Sequence, residues 1–216
     1  MQQARAVETR AAIIRGAAAA FEQRGYGSTS LTQVSAAAGV TKGALYFHFD
    51  SKEALAVAII DAQHEESVGA GRRLLDDNVP GLWALVSMSY ELARQLRDDL
   101  IVSAGVRLTI EAANFTTPVS APYVDWMAAC EEFLQRGKAA GDVAPTVDVQ
   151  AAARFFIAAF TGVQVVSDVL TKRGDIDLRL TDMWSLILPG LVAPERWDDL
   201  KNLAADVQRE RATARP

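Results

Sequence analysis

The chain has 216 residues, half of them hydrophobic, with modest glycine and proline. That length and composition suit an all-helical globular fold with a well-buried core, as one domain or as a small domain fused to a larger one. A net charge of −5 argues against a protein that is basic throughout, and no run of about eighteen or more apolar residues occurs, so no membrane span is expected.

Residues 5–24 read as the first helix. Ile13, Ala17 and Phe21 recur at four-residue spacing with Ile14 and Ala18 beside them, a stripe wide enough to pack on two further helices. Arg15 interrupts this apolar stretch and no cleavage-like segment follows, which favours a helix over a signal peptide. Gly25 ends it, and residues 26–29 make a turn. Thr9, Arg10 and Ser28 lie at helix ends and loops, as candidates for phosphate contact or as ordinary solvated surface.

The stretch from Ser30 to Glu53 organises the rest. Ser30 and Gln33 have capping-box spacing, Leu31, Val34 and Ala38 share a face, and Gly39 suits the left-handed turn after a helix. Thr41 is placed to cap a short helix, 42–47, that needs packing to hold it; Asp50 and Glu53 repeat the capping spacing before a long helix. Helix, glycine turn and short polar-faced helix make the pattern of a helix-turn-helix DNA reader. Leu45, Phe47 and Phe49 are expected to point inward, leaving Thr41, Lys42, Gly43, Tyr46 and His48 on the DNA side. Lys42 can reach a phosphate or a guanine edge, and Thr41 and Tyr46 a phosphate or a thymine methyl. Gly43 would let the backbone approach DNA closely, and Lys52 suits a flanking phosphate at a helix start.

Charge is distributed accordingly. Residues 1–52 hold six basic and three acidic side chains, a balance of +3, whereas the remainder stands at −8. A basic head on an acidic body attracts phosphate at one end only.

The fourth helix is expected over 51–75 with Leu55, Ala58, Ile59 and Ala62 inside, and Gln63 and His64 near its middle. A break at 76–81 precedes helical stripes at 83–97 and 100–113. The segment 114–122, with two prolines, is turn-rich. Helices follow at 123–140 (Trp126, Cys130, Phe133), 149–172 (Phe156, Phe160, Thr161, Val163), around 183–188 up to Pro189, and as a single polar-faced helix at 196–211. The single Cys130 cannot make an internal disulfide, which fits a reducing cytoplasm. Two histidines and one cysteine, none at ligand spacing, make a metal site unexpected, and no nucleophile elbow, phosphate-binding glycine loop or base–nucleophile set points to an enzyme.

The run Gly39-Val40-Thr41-Lys42-Gly43-Ala44-Leu45-Tyr46-Phe47-His48-Phe49, followed by Ser51-Lys52-Glu53-Ala54-Leu55, resembles the DNA-binding domain of the tetracycline-repressor family. More narrowly, with Trp126 and Gln63, the chain looks like the γ-butyrolactone autoregulator receptors of antibiotic-producing actinomycetes, whose members tend to be acidic as this chain is. The resemblance favours Tyr46 and His48 as DNA contacts. It also implies that Trp126 lies against the effector, where residue spacing alone reads a core tryptophan. An indole face suits a lactone ring and alkyl tail; Gln63 and Thr161 could hydrogen-bond its oxygens, and Cys130, one turn from Trp126, lines the same wall or is inert packing.

The expectation is therefore an all-α chain with a three-helix DNA-binding domain over 1–52 and a larger helical ligand-binding and dimerisation domain over 53–216. It would act in the cytoplasm as a cofactor-free repressor, binding an inverted-repeat operator as a homodimer through its last long apolar helices. A γ-butyrolactone-type signal would release it and so control antibiotic genes; the alternative is a different effector such as an antibiotic, a furan or a butenolide.

Overall fold

The computed structural model describes residues 2–76 and 79–213. Eleven α-helices occur among them: α1 (Gln2–Ser28), α2 (Leu31–Ala37), α3 (Lys42–His48), α4 (Lys52–Asp76), α5 (Gly81–Asp98), α6 (Leu100–Glu111), α7 (Ala121–Ala139), α8 (Val149–Thr171), α9 (Ile176–Leu191), α10 (Trp197–Leu200) and α11 (Leu203–Thr213). The only extended pairing among these residues is an isolated bridge between Val143 and Val192. The all-helical expectation holds. The break expected over 76–81 includes positions 77 and 78, which lie outside the described residues.

The chain folds into two compact units. One comprises Met1–Ser67 and Gln95–Pro122, the other Val68–Arg94 and Tyr123–Pro216. The first unit thus extends beyond the boundary expected at residue 52 and recruits α6 from much later in the sequence. Its core joins Ile13, Ala17 and Phe21 of α1, Val34 of α2, Leu45 of α3, and Leu55, Ile59 and Ile60 of α4 to Ala104, Leu108, Ala112 and Phe115.

Two close approaches fix this packing. A Cβ on Gly16 would fall 2.6 Å from the Ala38 nitrogen, so only glycine admits α2 there. A Cβ on Gly105 would overlap the Gln63 side chain and stand 3.1 Å from the Ile59 carbonyl, so glycine also sets the α4–α6 crossing.

Gly25, at φ 77°, breaks α1 before its last three residues. Side chains of α6 hold the break. Arg107 Nη1 donates to the Glu22 carbonyl at 2.5 Å, and the Tyr26 N–H donates to Glu111 Oε2 at 2.6 Å. Arg107 Nε also donates to Glu111 at 2.9 Å, so one ion pair satisfies an orphan carbonyl and an orphan N–H at the helix end.

The second unit is built from α7, α8, α9 and α11 around the first part of α5. Trp184 is fully buried, its Nε1–H donating to Ser89 Oγ at 3.0 Å and its ring 5.1 Å from that of Phe156. A Cβ on Gly137 would sit 2.7 Å from Val143 Cγ2, so the end of α7 and the following turn pack closely. Arg211 of α11 donates to Glu91 of α5 at 2.6 Å, beside Arg94. The expected single helix over 196–211 is corrected: a 3-10 turn at Pro194–Arg196 precedes α10, which stops at Leu200, and α11 starts at Leu203. The cap expected at Asp50 falls instead on Ser51, whose hydroxyl accepts the Ala54 N–H at 2.9 Å.

By length and composition alone α8 is long and apolar enough to cross a bilayer. One side carries Ala153, Phe156 and Phe160 into the core of its unit. Another leaves Phe155, Val166, Val169 and Leu170 open, joined on α9 by Leu178 and by Leu186, which is 82% exposed.

Candidate functional site

The helix-turn-helix forms from local signals. Ser30 Oγ accepts the Gln33 N–H at 3.3 Å, and Gln33 Oε1 accepts the Ser30 N–H at 2.9 Å, completing the capping box. Gly39 takes φ 66° in the turn. Thr41 caps α3 by accepting the Ala44 N–H at 3.1 Å, which leaves its hydroxyl proton to donate outward. Lys42, Gly43 and Tyr46 are exposed, and no atom stands closer to a Cβ on Gly43 than Thr41 Oγ1 at 3.9 Å. His48 is half-buried, edge-on to Phe47 with ring centroids 5.2 Å apart.

One expectation changes here, and two candidates have partners within the chain. Leu45 and Phe49 point inward, but Phe47 does not: it is 81% exposed. The reason is helical geometry, since Leu45 and Phe49 are four residues apart on one face and Phe47, midway, falls on the opposite one. Lys52 has partners within its own unit. Its Nζ donates to the carbonyls of Tyr26 at 2.9 Å and Thr29 at 3.1 Å and lies 4.2 Å from the Tyr26 ring centroid, tying α4 to the turn before α2. Thr9 donates its hydroxyl to the Arg5 carbonyl at 2.8 Å, within its own helix. Arg10 is exposed with its guanidinium 5.1 Å from the Phe49 ring centroid, and Ser28 is exposed at the end of α1.

The start of α4 is further anchored by Glu53, which accepts the N–H groups of Thr116 at 3.0 Å and Thr117 at 3.1 Å. Those backbone donors hold its carboxyl below the usual carboxylate range. Phe115 packs at a tilt on Tyr26, ring centroids 4.5 Å apart, so the expected turn-rich excursion docks on the helix-turn-helix unit.

Of the effector candidates, Gln63 is fully buried in the first unit. Its Nε2 donates to Ser67 Oγ at 2.6 Å, while its Oε1 has no donor. A buried carbonyl without a partner costs about 1–3 kcal/mol. The other candidates belong to the second unit. Trp126 is half-buried on α7, edge-on to Tyr123 at 5.4 Å, and Cys130 is buried one turn on. Burial, with help from the Glu131 charge, pushes the Cys130 thiol up to about 12, which disfavours the thiolate.

Thr161 is half-buried on α8. Three residues later Gln164, which the sequence reading passed over, is 98% removed from solvent with no acceptor for its Nε2. The signal for it was present: a glutamine two turns beyond Phe156 and one beyond Phe160, in the inward stripe of an apolar helix.

The model of bacterial regulatory proteins of the tetR family matches residues 13–59, and that of a tetracyclin repressor-like C-terminal domain matches residues 79–193. The A-factor receptor protein of Streptomyces griseus is 37% identical over 193 residues, covering 89% of this chain and 67% of that one. The chain belongs to the TetR family. Two solved TetR-family structures extend the likeness over the whole fold. A γ-butyrolactone receptor described as ArpA-like superposes with TM-score 0.82 at 34% identity, over 95% of this chain and 99% of that one. CprB of Streptomyces coelicolor, solved with its operator sequence, gives 0.76 at 34% identity over the same shares. As a TetR regulator, this chain is a DNA-binding protein and not an enzyme; it binds a double-stranded operator as a dimer and responds to a small molecule.

Proposed function

We propose that this TetR regulator is a cytoplasmic repressor released from an inverted-repeat operator by a γ-butyrolactone-type signal, and that it controls antibiotic or other secondary-metabolite genes. The observation that carries this is the likeness to the A-factor receptor protein and to γ-butyrolactone receptor structures along nearly the full chain. Within the first unit, a hydroxyl on the effector would supply the donor that the buried Gln63 Oε1 lacks.

Release follows from differential affinity. Effector binds better to a form in which α4 has shifted, and only that difference can weaken DNA binding. Within the first unit α4 carries Gln63 against Gly105, and carries Lys52 and Glu53 onto the turn at 26–29 and the loop at 115–117. A shift of α4 at Gln63 therefore acts on the turn that seats the reader helices. The exposed apolar rows of α8 and α9 supply the dimer surface, which sets two copies of α3 at operator spacing.

The test is fluorescence anisotropy on a duplex selected from a random inverted-repeat library, with and without a γ-butyrolactone panel. Loss of binding with one panel member supports the reading. Persistence through the panel, with release by a furan, butenolide or antibiotic, keeps the repressor and replaces the effector. Trp126→Ala should bind the operator and resist release; a variant that loses both functions while still folded would overturn the role given to Trp126.

A further inference from the structure

We infer that Phe47 reads sequence by packing its ring on a thymine methyl in the operator's major groove. The inference rests on the assignment of α3 as the recognition helix. Phe47 is the most exposed aromatic side chain of that helix, 81% open against 53% for Tyr46. Phenylalanine has no hydroxyl, so unlike Tyr46, Thr41 or Lys42 it cannot hydrogen-bond a phosphate or a base edge. The apolar feature offered by a major groove is the C5-methyl of thymine, and contact of an apolar side chain with it discriminates thymine from the other three bases.

Placement supports the same occupant. Phe47 follows Gly43 by one helical turn on the same face, and beyond Gly43 the surface is open. The helix can therefore sit close to the groove at Gly43 with the Phe47 ring reaching the bases beside it. His48, edge-on to Phe47 at 5.2 Å, restricts the ring's freedom before DNA arrives, which lowers the entropy lost on contact. The ring makes no part of the buried core of its unit, so its retention on the surface is not explained by folding.

The experiment is a scan of the selected operator duplex in which each thymine, with its symmetry mate, is replaced by uracil. This removes the methyl and leaves base pairing unchanged. For the wild-type dimer one symmetric pair should cost about tenfold in affinity, since each half-site loses the burial of roughly one methyl. Phe47→Ala should bind more weakly and lose that sensitivity, while remaining sensitive to base changes elsewhere. Phe47→Leu, which keeps an apolar surface, should retain part of it. Thermal unfolding and dimer mass should be unchanged in both variants, as expected for a residue outside the core. A uracil scan with no sensitive position, or one whose sensitive position persists in Phe47→Ala, would overturn the inference. Failure of the wild-type protein to select any duplex would instead remove the DNA-reading assignment beneath it.

Discussion

Gly105 of α6 lies directly against Gln63 of α4, with no room for a β-carbon between them. Gln63, whose buried Oε1 has no donor, is therefore seated on the helix that also grips the end of α1. Gly105→Ala should displace Gln63 or part the two helices, costing about 1–3 kcal/mol as core overpacking does. Chemical denaturation measures the cost, and effector titration of the operator complex should show a shifted midpoint. An unchanged midpoint would mean that Gln63 does not report to the effector site.

The clasp at the end of α1 is a separate contribution. Arg107→Ala removes a charge-assisted hydrogen bond to the Glu22 carbonyl and leaves Glu111 without its ion-pair partner. With both side chains partly exposed, the expected loss is about 1–2 kcal/mol. Hydrogen exchange of the amides at 22–26 should accelerate more than that of α8. Uniform acceleration would show a general loss of stability and no local clasp.

Leu186→Asp tests the surface on α9. The side chain is 82% exposed in one subunit, so the variant should fold with nearly unchanged helicity. It should sediment as a monomer and bind operator at least tenfold more weakly, because a single reader helix lacks the second half-site. A variant that stays dimeric would place the partner surface elsewhere.

The Glu91 cluster gives a pH dependence. Burial raises its pKa, but hydrogen bonds from Arg94 and Arg211 and their charges outweigh burial and bring it to about 2 from the usual 4.5. A depressed carboxyl stabilises the fold fully above the unfolded value and loses that contribution as protons bind. Docking of α11 should therefore weaken as pH falls from about 4.5 to about 2. Glu91→Gln should flatten that part of the stability profile; a wild-type slope in the variant would assign it to other carboxylates.

Cys130 should resist alkylation in the native protein at pH 8 and react once unfolded, since burial holds the thiol protonated. Mass spectrometry after iodoacetamide treatment decides it. Rapid native labelling would show that the wall around Cys130 opens.

What could be read from the sequence follows the range of each interaction. The capping box at Ser30 and Gln33, the Gly39 turn and the Thr41 cap are legible because their partners lie within a few residues. Phe47 was also legible from spacing to Leu45 and Phe49, and the pull of aromatic residues toward core assignments obscured it. Lys52 was not, because its acceptors at Tyr26 and Thr29 are more than twenty residues away. The role of α6 was invisible for the same reason: Glu111 meets Tyr26 across a separation of 85 residues. Gln63 and Trp126 stood out only through family resemblance, since a buried glutamine carries no sign of its missing donor. The break between α10 and α11 has no proline or glycine to announce it.

The reader of this protein is not a detachable cassette. Ala104, Leu108, Ala112 and Phe115 complete the core beneath α1, α2 and α3, yet they are encoded after α4 and α5 have already passed through the other unit. A chimera that joins residues 1–67 to the body of a relative would inherit a foreign α6, and with it foreign packing against α1 and α4. Exchanging operator specificity between such proteins therefore calls for changing the outward residues of α3 in place, or for transplanting α6 along with the head it supports.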